Sequence, residues 1–321
     1  MHNNRRVKHT FRNFSMLFVL IFVLGGAAFG MTRYRSVKSS MNSSFVPSGV
    51  VKQRDVNAQL KNEKPISILL MGMDSNETTG NYKGNTNSMM VLTLNPSSHK
   101  TTVTSIPRDI AIKVPGFAKN SPAMISSAYA LGQTKTAVTS VEKLLNVPVD
   151  FYALVNMGGL EKTIDKANGI DVTPNASFTF DGYTFNKGVQ THMNGAKALA
   201  YVRMRSNDDY ARQSRQRDVL TALVHKSSSI STLFNQDLID SLTDQVQTDL
   251  TFDQMTSLAK SYNSVGKNVS DDNLQGTTTT ISGQKMETVK TAELQRVTDT
   301  INDNLGLSKG STGSIEYNLN K

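Results

Sequence analysis

Two charged segments lie beside predicted structural boundaries and carry the side chains best suited to chemistry. SIPRD places Arg108 and Asp109 directly after a proline that ends a predicted strand. YVRMRSNDDYARQSRQRD, from Tyr201 to Asp218, holds five arginines within fifteen residues. Guanidinium groups that converge on one spot repel each other unless an anion or carboxylates balance their charge, and their forked donors match phosphate oxygens. Because functional residues concentrate at strand ends and in loops, these segments predict a phosphate-binding site.

The spacing within the longer segment indicates which side chains can converge. Three of them follow an i, i+3, i+4 pattern and share one helix face; they are Arg212, Arg215 and Gln216. Arg203 and Arg205 lie two positions apart, which on a helix would turn them about 200° from each other. They can face one ligand only where the chain is extended, because alternate side chains of a strand share a face. The pattern therefore predicts that the preceding helix ends near Tyr201.

Salt bridges are the competing interpretation of these arginines, since Asp208, Asp209 and Asp218 lie among them. For a single arginine the salt bridge is the better explanation. Five arginines in one segment, together with an Arg-Asp pair at another strand end, favour an anionic ligand instead.

Composition argues against several other kinds of chemistry. The 321 residues include no cysteine, which excludes a thiol nucleophile, a thiolate metal site and disulfides. The five histidines show no close metal-ligand spacing, which disfavours a zinc hydrolase. Neither a Walker pattern nor G-x-G-x-x-G follows Gly72, so this glycine is predicted to form a tight turn. The net charge of +9 favours anionic partners without distinguishing nucleic acid, lipid head groups and wall polymers.

Short apolar runs predict the strands that must position the charged residues. ISILLM (66–71) ends at a glycine, and MMVLTL (89–94) follows a polar loop, as expected of buried strands. Residues 95–98 (NPSS) form a turn, and the β-branched stretch 101–106 returns as the partner strand of a hairpin. Pro107 then ends this strand, directly before Arg108.

Helical and strand patterns alternate through the rest of the chain. Helical spacing covers 134–145 and 160–167, with Gly169 as a C-cap, while DFYALV and IDVTP predict strands. A late strand and helix follow at 277–281 and 291–305. This alternation predicts an α/β domain with a mixed central β-sheet flanked by helices.

An uncharged N-terminal run, FSMLFVLIFVLGGAAFGM, follows four basic residues and predicts a transmembrane signal-anchor over residues 14–32. At about 1.5 Å per residue it covers most of a hydrocarbon core of about 30 Å. A cleaved signal peptide is the alternative, but the run is long for one and residues 27–30 (AAFG) offer no clean cleavage site. Basic residues also follow the span, so the positive-inside bias is slight. We expect the N-terminus in the cytoplasm and the bulk of the chain outside.

These patterns divide the chain into five parts. In order, they are a cytoplasmic tail (1–13), the signal-anchor (14–32), an extracytoplasmic stem (33–64), the α/β domain (65–308) and a flexible tail (309–321). The stem is assigned from its polar, weakly patterned sequence, and the tail from GSTGSIEYNLNK. The predicted location is the cell membrane, with a single pass and the folded domain outside the cytoplasm.

Five short segments occur in order between Ile66 and Val224, namely GMDSN, NSMMVLTLNP, SIPRDI, NGAKALAYVRMR and RQSRQ. Together they resemble the motifs of the LytR-CpsA-Psr family of wall-polymer ligases. The resemblance implies an enzyme of Gram-positive envelopes that takes a glycopolymer, such as teichoic acid or capsule, from undecaprenyl pyrophosphate. It implies that the polymer is joined to peptidoglycan through a phosphodiester. It also implies an α/β fold with a hydrophobic lipid groove, a site at the cytoplasmic membrane and Mg²⁺ as cofactor.

The resemblance also implies roles for individual residues. Arg108 matches the family's catalytic arginine, and Asp74 matches a magnesium-linked aspartate. Asp109 and Asp209 match acidic positions that either orient an arginine or accept the proton of the attacking sugar hydroxyl. The residues that match the pyrophosphate cradle are Arg203, Arg205, Arg212, Arg215 and Gln216. Phosphoryl transfer depends on charge neutralisation and positioning, so no catalytic serine or histidine is required.

Three asparagines depart from the resembled motifs. Asn76, Asn85 and Asn87 stand where the family usually carries arginine, arginine and aspartate. An aspartate in place of Asn87 would hold magnesium together with Asp74, and an amide oxygen supplies no full negative charge. We therefore expect weaker magnesium binding than in a typical member. The alternative is that water or substrate phosphates complete the metal shell and the changes are neutral.

Two other functions are compatible with parts of the sequence. A non-catalytic member of the same family would bind the lipid-linked polymer without transferring it. A nucleic-acid-binding regulator would explain the basic charge, but it requires a cytoplasmic domain and an element such as a helix-turn-helix. No such element is evident near the arginine-rich segment, so no nucleic-acid partner is expected.

Overall fold

The computed structural model describes residues 38–39, 42–73, 84–156, 160–204, 211, 214–216, 218–219, 222, 245–262, 265 and 268–317. The helices in chain order are α1 (Val56–Lys61), α2 (Ser127–Leu145), α3 (Leu160–Lys166), α4 (Gly195–Arg203), α5 (Phe252–Ser261) and α6 (Thr291–Leu305). A short 3-10 helix spans Ala118–Asn120, and further helical residues occur between 211 and 222.

Strands occupy much of the remaining described chain. In chain order they are β1 (Ile66–Met73), β2 (Ser88–Asn95), β3 (Lys100–Ile106), β4 (Ala111–Ile112), β5 (Ala123–Met124), β6 (Phe151–Asn156), β7 (Ile170–Val172), β8 (Phe178–Phe180), β9 (Tyr183–Phe185), β10 (Thr191–Met193), β11 (Val246–Thr248), β12 (Val269–Asn273), β13 (Thr277–Ile281) and β14 (Gln284–Thr288). Each strand predicted from the sequence is present, and α6 has the predicted bounds.

The main sheet has six strands in the order β11-β6-β1-β2-β3-β12. β2 runs antiparallel to both β1 and β3, which confirms the predicted hairpin. β6 is parallel to β1, and β12 is parallel to β3, so the sheet is mixed as predicted. Gly72 lies inside β1 opposite Ser88, and the prediction that it forms a tight turn was wrong.

Helices cover both faces of this sheet, which explains why β1 is buried along nearly its whole length. Successive side chains of a strand point to opposite faces. Leu69 and Met71 pack into a core cluster with α2 and α6, whereas Ile66 and Ile68 pack into a second cluster that includes Leu60 of α1. The six strands therefore form the middle layer of a three-layer α/β domain.

A smaller apolar cluster joins α3, α4 and the short strands β7 to β10. Its buried members include Ile164 of α3, Ile170 of β7, Phe185 of β9, Met193 of β10 and Tyr201 of α4. This unit carries the first of the predicted phosphate-binding arginines at the end of α4.

A kink divides α2, whose predicted start was residue 134. Gly132 and Gln133 have non-helical backbone angles, and Gln133 has a positive φ of 56°. A Cβ at Gly132 would lie 2.0 Å from the hydroxyl of Thr136, so the close approach requires glycine here. The periodic apolar pattern begins only after the kink, which is why the first turn from Ser127 was missed.

The segment predicted as a stem is part of the folded domain from residue 42 onward. Phe45 forms a β-bridge with Thr248, and the Val46 amide donates to the Thr248 carbonyl at 2.8 Å. Arg54 forms an ion pair with Asp150, whose side chain is almost fully buried. These contacts are long-range and polar, so the sequence pattern gave no sign of them.

The predicted flexible tail is docked as far as Tyr317. The side-chain amide of Asn146 donates to the Ser311 carbonyl at 2.7 Å. The Lys113 amide donates to the Ile315 carbonyl at 2.7 Å, and the Tyr317 amide donates to the Ala111 carbonyl at 3.0 Å. Residues 309–317 therefore extend the fold beside β4.

The predicted signal-anchor at residues 14–32 lies outside the described residues. Within the described ranges, no helix combines the length and apolar character that crossing a membrane requires.

Candidate active site

One edge of the main sheet brings the first predicted site segment together with Asn87. The register pairs Gly72 with Ser88 and Met89 with Ile106, so the end of β1, the start of β2 and the end of β3 lie side by side. The parallel strand β6 ends at the same edge, with Asn156 opposite Met73. The loops that leave this edge carry Asn87, Arg108 and Asp109.

Backbone hydrogen bonds fix the turn that carries Arg108. The Ile110 amide donates to the Pro107 carbonyl at 3.4 Å and closes the turn. The Ser126 amide donates to the Arg108 carbonyl at 3.1 Å, and the Glu287 amide donates to the Asp109 carbonyl at 2.8 Å. Neighbouring segments thus hold the main chain on both sides, so the direction of the Arg108 side chain is set by the fold.

Ser126 also holds the loop that carries Asn87. Its carbonyl accepts hydrogen bonds from the Thr86 amide at 3.1 Å and from the Thr86 hydroxyl at 3.3 Å. The Asn87 amide donates to the Gly72 carbonyl at 2.7 Å. One residue at the start of α2 therefore couples both loops and fixes the distance between Arg108 and Asn87.

The Arg108 guanidinium lies between an amide oxygen and a carboxylate. Its Nη1 is 3.5 Å from Asn87 Oδ1, and its Nε is 3.5 Å from Asp109 Oδ1. Both distances lie at the outer limit of effective hydrogen bonding. The Arg108 side chain is 30% exposed, and its Nε makes no hydrogen bond to any other described residue. Within the part of the chain that the structure describes, two weak contacts orient the guanidinium, and no other hydrogen bond engages it.

The second predicted segment begins at the end of α4. This helix continues to Arg203, two residues beyond the predicted end at Tyr201, and the chain leaves the helix at Met204 with φ −53° and ψ 118°. Arg203 is exposed in the last helical turn, where a cation is favoured by the helix dipole.

Arg215 is buried, with 2% of its surface exposed. Its Nη2 donates to the Met204 carbonyl at 2.6 Å, and its guanidinium lies 5.3 Å from the centre of the Phe178 ring. Arg215 therefore fixes the point at which the chain leaves α4, beside Arg203. The structure shows this positioning contact, whereas direct binding of phosphate by Arg215 stays a prediction.

Gln216 is also buried, with 6% of its surface exposed, and its Oε1 accepts no hydrogen bond from another described residue. Nearby, the Tyr201 hydroxyl donates to Asp218 Oδ2 at 2.9 Å. Burial and the neighbouring Asp218 carboxylate raise the pKa of Tyr201. Asp218, considered above as a salt-bridge partner, thus holds the helix around Gln216 against α4.

The sequence analysis did not predict the cluster of aromatic side chains that packs beside these residues. Phe178 of β8 stacks on Tyr201 of α4, with ring centres 5.8 Å apart, and also contacts Phe185 at 4.8 Å. The available signal was the alternation of aromatic residues in FTFDGYTF, which predicts a hairpin with one packed face.

Several predicted site residues cannot be placed. Asp74, Asp209, Arg205 and Arg212 lie outside the described residues, as does Asn76. The structure therefore brings together Arg108, Asp109 and Asn87 at the sheet edge, and Arg203, Arg215 and Gln216 around the end of α4.

The fold and these two groups define a three-layer α/β protein with an oriented, partly exposed arginine at the ends of its central strands. The chain belongs to the LytR-CpsA-Psr family, whose family model matches residues 31–303. This confirms the resemblance drawn from the motifs.

A curated relative from Enterococcus faecalis (strain V583) is 35% identical over 298 residues, covering 91% of this chain and 97% of the relative. It is named polyisoprenyl-teichoic acid–peptidoglycan teichoic acid transferase TagU. The crystal structure of Bacillus subtilis TagU is 32% identical with a TM-score of 0.61, covering 75% of this chain and 97% of that one. A structure of TagT bound to LI-WTA is 25% identical with a TM-score of 0.65, covering 80% of this chain and 95% of that one.

Proposed function

We propose that this protein is a phosphotransferase that moves a glycopolymer, teichoic acid or a capsule-like polysaccharide, from an undecaprenyl pyrophosphate carrier to peptidoglycan. The observation that carries the proposal is the Arg108 guanidinium, which is partly exposed at the sheet edge and makes only long contacts, to Asn87 and Asp109, among the described residues. Family membership and the teichoic acid transferases among the relatives support the same reaction.

The reaction exchanges one phosphorus–oxygen bond for another. A peptidoglycan sugar hydroxyl attacks the phosphorus that bears the glycopolymer, and the phosphoanhydride bond breaks. The carrier leaves as undecaprenyl monophosphate, the polymer is joined through a phosphodiester, and the hydroxyl proton passes to a base or to solvent. Arg108 neutralises the charge that develops on the phosphoryl oxygens. Asp109, paired with Arg108 Nε, is placed to orient this arginine.

The residues near Arg108 fit the magnesium ion that the family implies. Half-buried Asn87 directly precedes β2 and hydrogen-bonds through its amide to Gly72 near the end of β1, and Asp74 directly follows β1 in the sequence. One carboxylate and one amide oxygen suit a cation that keeps most of its waters and also binds substrate phosphates. Among the described residues, no group of three or more acidic or histidine side chains forms another metal site. Bound magnesium would supply positive charge to the phosphates.

Magnesium affinity is expected to rise about tenfold in Asn87→Asp, because a full negative charge replaces an amide oxygen at the cation. Calorimetry with a pyrophosphate lipid present measures this directly. Asn85→Asp is the matched control, since Asn85 is exposed on the same loop, and its effect should be smaller. Equal affinities of wild type and Asn87→Asp would show that the adjacent Arg108, rather than the metal, takes up the new charge.

Arg215→Leu is expected to raise the KM for the lipid pyrophosphate donor about tenfold, because the hydrogen bond to Met204 and the contact with Phe178 are lost. The end of α4 that positions Arg203 would no longer be fixed. Steady-state kinetics and thermal unfolding, measured together, separate this effect from a loss of folded protein. Arg296→Leu on α6 is the control, and an unchanged KM in folded Arg215→Leu would contradict the positioning role.

We also propose that residues 14–32 anchor the protein in the cell membrane with its N-terminus in the cytoplasm. The uncharged run and its basic flank support this arrangement. Protease added to intact protoplasts is expected to digest the chain beyond residue 42. Full protection of that region, with digestion only after lysis, would contradict the extracytoplasmic location.

A reconstituted reaction tests the proposed function. The full chain in detergent is incubated with magnesium, peptidoglycan and an undecaprenyl pyrophosphate donor labelled in its glycan. Label is expected to become covalently attached to peptidoglycan. Binding of the donor without any transfer would instead identify a non-catalytic member of the family.

A further inference from the structure

A pocket of about 560 Å³ lies apart from the two groups of site residues. It is formed by the loop between β4 and β5 and by the docked C-terminal segment, and its lining residues include Lys113, Val114, Pro115, Ser121 and Tyr317. Its volume is in the range of typical ligand sites. None of the residues that line it is acidic.

The loop that forms the pocket is held in place by its own hydrogen bonds. The Val114 amide donates to Ser121 Oγ at 2.8 Å, and Ser121 Oγ donates to the Phe117 carbonyl at 3.1 Å. Val114 is buried, and the Tyr317 wall is fixed by its amide hydrogen bond to Ala111. The pocket is therefore preformed, which lowers the entropic cost of binding.

The pocket is basic at its rim. The loop KVPGFAKNSP carries Lys113 and Lys119 and no acidic residue. Both lysines are exposed, and neither forms an ion pair with another described residue. Lys113 lines the pocket and Lys119 lies next to the lining residue Ala118. These exposed ammonium groups, together with apolar lining residues and one tyrosine, suit a ligand that alternates phosphate groups with sugar or polyol units.

The antiparallel pair β4 and β5 connects the pocket to the turn that carries Arg108. After the Arg108 turn the chain forms β4 and reaches the pocket at Lys113. It returns through β5, which pairs with β4, to Ser126, whose backbone amide donates to the Arg108 carbonyl. Lys113 is the fifth residue after Arg108, so the main-chain path between their Cα atoms is at most about 18 Å long. A polymer whose first unit is held at Arg108 can reach this pocket with its following units.

We propose that this pocket is a subsite for the phosphate-bearing chain of the donor glycopolymer, beyond the unit attached to the pyrophosphate. The inference rests on the proposed function and specifies how that function selects long donors. Lys113 and Lys119 bind chain phosphates, and Tyr317 provides the surface against which a sugar or polyol unit packs.

Donors of different length test the subsite. Transfer by the full chain in detergent is measured with an undecaprenyl pyrophosphate disaccharide and with the same lipid carrying a long polyol-phosphate chain. The ratio of kcat/KM for the long donor to that for the short donor is expected to fall roughly tenfold in Lys113→Glu/Lys119→Glu. Tyr317→Ala is expected to lower the same ratio. Lys61→Glu/Lys309→Glu makes an equal charge change at exposed positions outside the pocket and is expected to preserve it.

A binding measurement separates the subsite from the reaction. Calorimetry with soluble poly(glycerol phosphate) is expected to give roughly tenfold weaker binding in Lys113→Glu/Lys119→Glu than in the Lys61→Glu/Lys309→Glu control. Polymer binding that depends on Lys113 and Lys119 without transfer of either donor would contradict the proposed function and support the subsite. Equal polymer affinity in the two double variants, or an altered KM for peptidoglycan alone, would overturn the subsite.

Discussion

Arg108→Ala is expected to lower the turnover of glycopolymer transfer by about a thousandfold or more, because an arginine that neutralises the transferring phosphoryl group contributes on that scale. Among the described residues, its guanidinium makes only long contacts, to Asn87 and Asp109, so little folding energy depends on it. The free energy of unfolding should stay within about 1 kcal/mol of wild type. Single-turnover kinetics with labelled donor, alongside denaturant unfolding, measure both quantities.

Two controls sharpen the Arg108 experiment. Arg108→Lys retains the charge but loses the forked donor geometry, so intermediate activity is expected. Arg296→Ala removes an exposed arginine of α6 that pairs with Glu293 and Asp272, and should leave turnover near wild type. Wild-type turnover in folded Arg108→Ala would remove the basis of the proposed site.

Asp150→Ala is expected to destabilise the fold by about 3–5 kcal/mol, because it leaves the largely buried Arg54 without its ion-pair partner. The Asp150 side chain is 1% exposed and accepts hydrogen bonds from the Ser67 amide and the Ser67 hydroxyl at 2.8 and 3.1 Å. Urea unfolding of the full chain in detergent gives the change in free energy.

The matched control for Asp150 is Asp253→Ala. Asp253 pairs with Lys38, but its side chain is 71% exposed, so the loss should be under about 1 kcal/mol. If the two variants were equally stable, the Arg54–Asp150 pair would not be what joins the segment before β1 to the sheet.

Local patterns in the sequence were sufficient to predict α6 and six of the described strands, namely β1, β2, β3, β6, β7 and β13. β1, β2 and β3 are apolar or β-branched runs bounded by turn residues, and α6 is an amphipathic helix that ends at a left-handed glycine, Gly306. Such signals lie within a single element. The mixed α/β class followed from their alternation.

Long-range polar contacts could not be predicted in this way. Arg54 and Asp150 are far apart in the chain, and neither has a sequence pattern that indicates pairing. The proximity of Asn87 to Arg108 depends on the register of β1, β2 and β3, which no single segment specifies.

The different environments of the clustered arginines also could not be predicted from the sequence. Spacing placed Arg215 on one helix face, but only the packing of Phe178 and the end of α4 shows that this face is buried. Arg203, at the end of the preceding helix, is exposed. Charge and spacing therefore predicted a phosphate site, but they did not show which arginines are exposed and which are buried.

The products of the reconstituted reaction test the central claim most directly. Full-length protein, magnesium, peptidoglycan and polymer-bearing undecaprenyl pyrophosphate are incubated, and the lipid and the muramidase-released glycan are analysed by mass spectrometry. Transfer through Arg108 at the phosphoanhydride predicts undecaprenyl monophosphate and a phosphodiester-linked glycan in equal amounts, with both missing in Arg108→Ala. Undecaprenyl pyrophosphate as the lipid product, with the glycan attached to peptidoglycan without phosphate, would contradict the account.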